Sequence, residues 1–322
     1  MNYTQYIDVP QNNNDKPSKT ILILGGTGFV GSFLYPYLLK QGYLVLLLVR
    51  HESRFFSKCI HPKLVVYDYN LFFDQPPSFV GDINVVINLA GYSIGAKRWS
   101  MRVKRKIKDS RVKLTQRVVS FLKARTLDCV WINASAIGFY GNRGAQRLYE
   151  DSFKGEGFLS DVCEQWEGAL DELPSNNRVV KLRLGLILDP SSEACKKMFF
   201  PFRFGFGGCI GSSLDWISWI SIHDVVGAIE FAIKNKGVEG VVNLVSPSPV
   251  QKEFFFSAIA GLFGTASWAN VPQWIIKLLL GEMSCLVLDS QRVFPNVLIK
   301  KGYSFKVSHL EIALKGNNKS DA

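Results

Sequence analysis

The sequence predicts an α/β fold, a doubly wound parallel sheet carrying a smaller α/β C-terminal lobe. Three observations lead there. Short aliphatic runs alternate with helix-period segments through the first 190 residues. Those runs are apolar almost without interruption, as strands buried on both faces of a sheet must be. A group of spaced glycines separates the first aliphatic run from the first helical segment. A strand, a glycine turn and a helix, followed by further alternation, make the doubly wound sheet Rossmann-type.

Taken in order, residues 21–24 form the first predicted strand. Gly25-Gly26-Thr27-Gly28-Phe29-Val30-Gly31 leaves it and opens a helix reaching about residue 41, with a kink expected at Pro36. Strands follow at 43–49, 64–67 and 85–89. A long helix is expected over 100–124, a strand at 130–134, a helix at 158–173 and a strand at 179–188. Beyond Pro190 the pattern loosens into clustered glycines and aromatics. Helices near 225–234 and 252–263 flank a strand at 241–245, all assigned to the lobe. The predicted division is a tail over 1–19, a dinucleotide-binding unit over 20–190, a C-terminal lobe over 191–315 and a tail over 316–322.

Bulk properties narrow the class. The 322 residues are 47% hydrophobic and 20% charged, a globular composition. No aliphatic run approaches the roughly 18 residues that span a bilayer, and residues 1–20 lack the apolar stretch of a signal peptide. No membrane partner and a cytoplasmic location are therefore expected. Six cysteines without C-x-x-C spacing and four scattered histidines suggest reduced thiols and no metal site. The formal charge of +11 is local: residues 97–125 hold twelve Lys or Arg against one acid, Asp109, which is the whole excess.

The glycine segment carries the first functional expectation. Gly25, Gly28 and Gly31 let the chain turn out of the strand and approach a pyrophosphate without Cβ atoms in the way. The amides of Thr27, Phe29 and Val30 then face the anion at a helix N-terminus. An NAD site would place a carboxylate at the end of the second strand; here stand Arg50, His51 and Arg54. A guanidinium can hold a 2′-phosphate bidentately, so NADP(H) is the expected cofactor. Asp68 reads either as an acceptor for the adenine amino group or as a solvated loop acid. Leu89-Ala90-Gly91 ends the fourth strand at the sheet edge where cofactors lie.

These segments resemble the extended short-chain dehydrogenase/reductase superfamily. The resemblance narrows to epimerase/dehydratase-like proteins with a C-terminal domain of unknown function, some of which carry a cell-division-inhibitor label. It rests on Asn88-Leu89-Ala90-Gly91, Lys97-Arg98-Trp99, Asp109-Ser110-Arg111, Ala134-Ser135-Ala136-Ile137-Gly138-Phe139-Tyr140-Gly141 and Glu150-Asp151-Ser152. Pro201-Phe202-Arg203-Phe204-Gly205, Trp216-Ile217-Ser218-Trp219-Ile220, Leu280-Gly281-Glu282-Met283 and Ser290-Gln291-Arg292-Val293 extend it, over residues 20–314. Through its motif, Arg111 joins the expected cofactor residues.

The resemblance implies hydride transfer, with a Tyr passing the proton, a Lys four residues later lowering its pKa, and a Ser binding the substrate oxygen. None of the eleven tyrosines here has that Lys; Phe158 and Val162 stand at the dyad positions. Ser135 keeps the serine position and Tyr140 is the best substitute acid, with a structural tyrosine as the competing reading.

Residues 100–124 read as an amphipathic helix that buries Val103, Ile107, Leu114, Val118 and Phe121. Lys104, Arg105, Lys108 and Arg111 face away; without interleaved aromatics this is a solvated face sooner than a nucleic-acid surface. Arg203, Arg292 and Lys301 with Trp216, Trp219 and Trp268 suggest an anionic or planar small-molecule substrate, and Glu282 and Gln291 further contacts. A monomer or homodimer is expected. Two functions stand side by side: an NADP(H)-dependent oxidoreductase or epimerase-like enzyme with an atypical proton site, and a cofactor-binding regulator that has lost catalysis.

Overall fold

The computed structural model describes residues 19–50, 61–125, 127–265 and 269–316. The first half runs β1 (Thr20–Leu24), α1 (Phe29–Lys40), β2 (Leu44–Val49), β3 (Leu64–Asp68), α2 (Tyr69–Asp74), β4 (Ile83–Asn88), α3 (Met101–Asp109), α4 (Val112–Lys123) and β5 (Val130–Ala136). It continues through β6 (Arg147–Leu148), α5 (Phe158–Gly168), β7 (Arg178–Leu184), β8 (Leu186–Leu188), α6 (Glu193–Arg203), β9 (Gly208–Ile210), β10 (Trp216–Ile217), β11 (Trp219–Ser221), α7 (Ile222–Lys234) and β12 (Gly240–Leu244). The last part holds β13 (Val250–Gln251), α8 (Lys252–Leu262), β14 (Ala269–Val271), α9 (Gln273–Leu280), α10 (Cys285–Leu288), β15 (Arg292–Val293), α11 (Asn296–Lys300) and α12 (Leu310–Lys315).

Seven strands form one sheet in the order β12-β7-β5-β4-β1-β2-β3, and every pairing is parallel. From β1 the chain winds outward one way through β2 and β3, then returns to add β4, β5, β7 and β12 on the other side. The switch falls between β1 and β4, and crevices for ligands open beyond the strand ends at such a point. Both faces are covered. Ile21, Ile23, Val45 and Leu47 pack toward α1 and α7, while Leu22, Leu24, Leu46 and Leu48 pack toward α2 and α4. This alternation explains why β1 and β2 contain nothing but aliphatics and one threonine.

Three expectations are corrected. The helix over 100–124 is two helices, broken at Ser110 and Arg111. There the Ser110 hydroxyl accepts from the Tyr92 amide and donates to the Ile107 carbonyl. The strand over 179–188 is divided at Gly185, where a Cβ would lie 2.7 Å from Val245 and 2.8 Å from the Ser218 carbonyl oxygen. The boundary at residue 190 also fails. β12 pairs with β7 at the sheet edge, and α7 buries Val225, Ala228 and Ile229 in the same core as α1. The element that seemed to belong to the lobe completes the first unit. The lobe keeps its own core, with Phe199, Phe202, Trp219, Phe255 and Ile259 at its centre.

Helix α1 continues past Pro36 to Lys40, with Leu34 and Leu38 wholly buried and the Tyr37 hydroxyl donating to Glu230 on α7. Among the described residues, no helix is long and apolar enough to cross a membrane.

Candidate functional site

The glycine turn is dictated by crowding. Gly25 has φ +80°, and a Cβ there would lie 2.7 Å from the Leu89 carbonyl carbon and 2.8 Å from the Ala90 nitrogen. Any side chain would push apart the ends of β1 and β4. At Gly31 a Cβ would meet the Gly25 oxygen at 2.4 Å, so only glycine lets α1 settle on its own entry turn. The Gly28 amide closes the turn on the Gly25 oxygen at 2.9 Å. Gly28 is the N-cap of α1 and brings no side chain to the helix's first amides, those of Phe29, Val30 and Gly31. With Thr27 and Gly28 exposed, this is a bare helix N-terminus at the switch point, suited to an anion.

Across the crevice, the Leu89 amide donates to the Leu24 oxygen at 2.9 Å, and the Ala90 amide to Asn88 Oδ1 at 3.2 Å. Asn88 in turn donates to Thr115 and Asn133, both at 2.8 Å, and the Trp166 indole donates to Thr115. This buried amide cluster holds the end of β4 in register with β5. Arg50 is exposed directly beyond β2. His51 and Arg54 lie outside the described residues. Asp68 caps α2, accepting from the amides of Asn70 at 2.8 Å and Leu71 at 3.3 Å.

Arg111 lies against Gly91, where a Cβ would sit 2.9 Å from its guanidinium carbon. Its Nη1 donates to the carbonyls of Tyr92 and Ile107, both at 3.0 Å, and its plane lies over Trp166. Burial lowers its pKa from the ordinary value. It braces the Gly91–Tyr92 loop from behind, where the sequence suggested a direct cofactor contact.

Ser135 and Tyr140 are both buried. The Ser135 hydroxyl donates to Glu167 Oε1 at 2.6 Å inside the protein. Glu167 is gripped by Arg183, Nε to Oε1 and Nη2 to Oε2, both at 2.9 Å. Arg183 Nη1 reaches the Tyr140 oxygen at 3.0 Å, and the Tyr140 hydroxyl donates to Asn243 Oδ1 at 2.7 Å. Tyr140 is wholly buried; desolvation pushes its pKa up to about 12, against the lowering pull of Arg183. A phenol so enclosed ties β5, β7 and β12 together. Glu167, Arg183 and Asn243 escaped the sequence reading. For Asn243 the signal was a single polar side chain inside the apolar strand Gly-Val-Val-Asn-Leu; Arg183 shares its strand with Arg178 and Lys181, and Glu167 lies on α5.

The start of α5 is built differently. Phe158 opens α5, half-buried, with Trp99 edge-on at 5.1 Å between centroids. The Lys104 ammonium stands 4.8 Å from the centre of the Phe158 ring and 2.6 Å from Glu282. Val162 is buried. Arg98 donates to the Leu278 oxygen at 3.4 Å, and Lys197 to the Gly95 oxygen at 3.0 Å. Residues 278–282 of the lobe therefore meet the 95–104 segment beside the start of α5.

Other expected contacts are dispersed. Arg292 stacks on Trp216 at 3.9 Å, Arg203 stands near Phe263, and Lys301 lies beside Gly237. Trp219 is core, and Trp268 lies outside the described residues. The Gln291 amide donates to the Ile137 and Gly141 carbonyls, bracing the loop after β5. In the basic segment, Arg117 covers Phe73, Arg125 covers Phe121 and Lys113 pairs with Asp109.

Comparison with known proteins agrees with this fold. Residues 21–156 match the NAD dependent epimerase/dehydratase family, and residues 271–316 match a domain of unknown function, DUF1731. The epimerase family protein SDR39U1 homolog, chloroplastic, of Arabidopsis thaliana is 31% identical over 302 residues, 92% of this chain and 86% of that protein. The chain belongs to the epimerase/dehydratase family. Within that family, an epimerase family protein of Staphylococcus haemolyticus is 36% identical over 92% of this chain and 98% of its own. A crystal structure of human epimerase family protein SDR39U1 with NADPH superposes with a TM-score of 0.80, at 28% identity, covering 92% of this chain and 98% of that one. UDP-glucuronic acid 4-epimerase from Bacillus cereus, with UDP-glucuronic acid and NAD, shares the fold at a TM-score of 0.72 and 17% identity.

Proposed function

We propose that this family member is an NADP(H)-dependent oxidoreductase whose proton-handling group is not the tyrosine of the Tyr-x-x-x-Lys dyad. The observation that carries the reading is the uncapped N-terminus of α1 facing Leu89–Gly91, with Arg50 where a ribose-binding carboxylate would stand. The residues fit a dinucleotide: Cβ atoms at Gly25 and Gly31 would close the turn, and the amides of Phe29, Val30 and Gly31 can receive a pyrophosphate. The crystallised human relative is described with NADPH, which supports the same cofactor here.

When bound, the cofactor supplies or accepts a hydride at its nicotinamide ring. The chain's part is to bind and orient. The amides of Phe29, Val30 and Gly31 hold the diphosphate, on the turn that Gly25, Thr27 and Gly28 form. Arg50 and Arg54 give guanidinium to a 2′-phosphate. Asp68 stands at the adenine end, and Leu89, Ala90 and Gly91 form the floor, with Arg111 supporting it. Ser135 and Tyr140 maintain the β5–β7–β12 framework under the reacting end. The region beside Phe158 remains for an unidentified small-molecule substrate.

The test is a fluorescence titration of NADPH against NADH. Binding of NADPH about tenfold tighter than NADH is expected for one charge-assisted contact; equal affinity sinks the role of Arg50. A second reading, a regulator without turnover, is favoured by Phe158 and Val162 at the dyad positions. Bound NADPH that is never oxidised across a broad carbonyl panel would decide for it.

A further inference from the structure

We infer that Lys104 and Glu282 form a binding site for the vicinal diol of the nicotinamide ribose, an inference resting on the dinucleotide reading above. A dinucleotide whose diphosphate sat at the N-terminus of α1 would run past Leu89–Gly91, and its second ribose would lie beyond them. That sugar presents two neighbouring hydroxyls, which need one donor and one acceptor. The polar side chains at the ends of β4 and β5 are largely committed inward. Asn88 donates to Asn133 and Thr115, Asn133 donates to the Ala134 carbonyl, Ser135 bonds Glu167, and Tyr140 is sealed between Asn243 and Arg183. Arg111 is turned onto the Tyr92 and Ile107 carbonyls.

Lys104 and Glu282 differ from these. Their nitrogen and oxygen are 2.6 Å apart, and their side chains are 23% and 63% exposed. The ammonium lies over Phe158, the first residue of α5, 4.8 Å from the ring centre. The ring replaces a hydroxyl with an apolar face, and Lys104 is the cation brought to that face. An ammonium has three donors and spends one on Glu282; a carboxylate has acceptor capacity beyond one lysine. A diol set beside them can accept from Lys104 and donate to Glu282 together. The pair also joins α3 of the sheet unit to the 281–284 turn of the lobe, so the ribose would be held by both units.

Calorimetric titration of the full chain with NADPH, NADH and 2′,5′-ADP tests this. The last ligand keeps the adenosine phosphates and lacks the nicotinamide ribose. Lys104→Met is expected to weaken NADPH and NADH by about tenfold each, close to 1.4 kcal/mol, and to leave 2′,5′-ADP unchanged, which also shows that the variant folds. Glu282→Gln should weaken both dinucleotides by about threefold, and Lys104→Arg should recover most of the loss. Wild-type affinity for NADPH in Lys104→Met, or an equal loss for 2′,5′-ADP, overturns the assignment. A wild-type chain that binds neither NADPH nor 2′,5′-ADP overturns the dinucleotide reading itself, a distinct result.

Discussion

Arg183 grips Glu167 with two parallel hydrogen bonds of 2.9 Å, both side chains more than nine-tenths buried. The pair links β7 to α5 and supports Ser135 and Tyr140 on either side. Removing one partner leaves the other charge buried and unmatched, which costs about 3–5 kcal/mol. Arg183→Met and Glu167→Gln should each lower the denaturation free energy by about that much in urea titrations. A loss below about 1 kcal/mol in both would show that water reaches the pair.

Tyr140→Phe should leave NADPH affinity unchanged while costing about 1–3 kcal/mol, because Asn243 Oδ1 loses its donor and Arg183 Nη1 an acceptor. The pH dependence has a definite sign. The phenol titrates near 10.0 when unfolded and at about 12 in the fold, where burial disfavours the phenolate. As pH rises the unfolded chain gives up this proton first, so the contribution is intact below pH 10 and is lost between 10 and 12. Denaturation midpoints of Tyr140→Phe should fall less steeply than wild type over that window; parallel curves would remove Tyr140 as a contributor.

The legible parts of this chain are those whose causes are local. β1 and β2 are readable because burial on both faces excludes polar residues, and the glycine turn because its backbone demands no Cβ. The break at Ser110–Arg111 was hidden, since the apolar period from Ile107 to Leu114 continues across it. The place of β12 depends on pairing with β7, some 60 residues earlier, and no local pattern announces it. The same holds for the site. Tyr140 looked available because nothing nearby in sequence encloses it; Arg183 and Asn243 are 43 and 103 residues away. Lys104 and Glu282, 178 residues apart, meet only once the lobe is folded.

Two glycines with positive φ separate strain from crowding. Gly42 has φ +85° and open space where a Cβ would go; Gly25 has φ +80° and backbone atoms within 2.8 Å. Gly42→Ala should cost only the left-handed penalty, about 1–2 kcal/mol. Gly25→Ala must also move the Leu89–Ala90 backbone and should abolish NADPH binding in a thermal-shift assay. Equal effects of the two substitutions would mean that the β1–β4 approach is softer than its distances imply.

Asp224 anchors the segment 303–307 through hydrogen bonds. Its buried carboxylate accepts from the amides of Lys306 at 2.7 Å and Val307 at 3.0 Å, from the Ser221 hydroxyl at 2.7 Å and from the Tyr303 hydroxyl at 3.2 Å. Four donors converge on two oxygens, so an amide in its place would turn an NH2 toward at least one N–H or O–H. Asp224→Asn should cost about 1–3 kcal/mol. The loss should fall first on residues 303–314, where α12 packs Leu310 and Leu314 into the lobe core. Hydrogen exchange resolves this: amides of that segment should lose protection before those of β1 or β4. Uniform acceleration across the chain would show that Asp224 supports the whole fold and not its C-terminal closure.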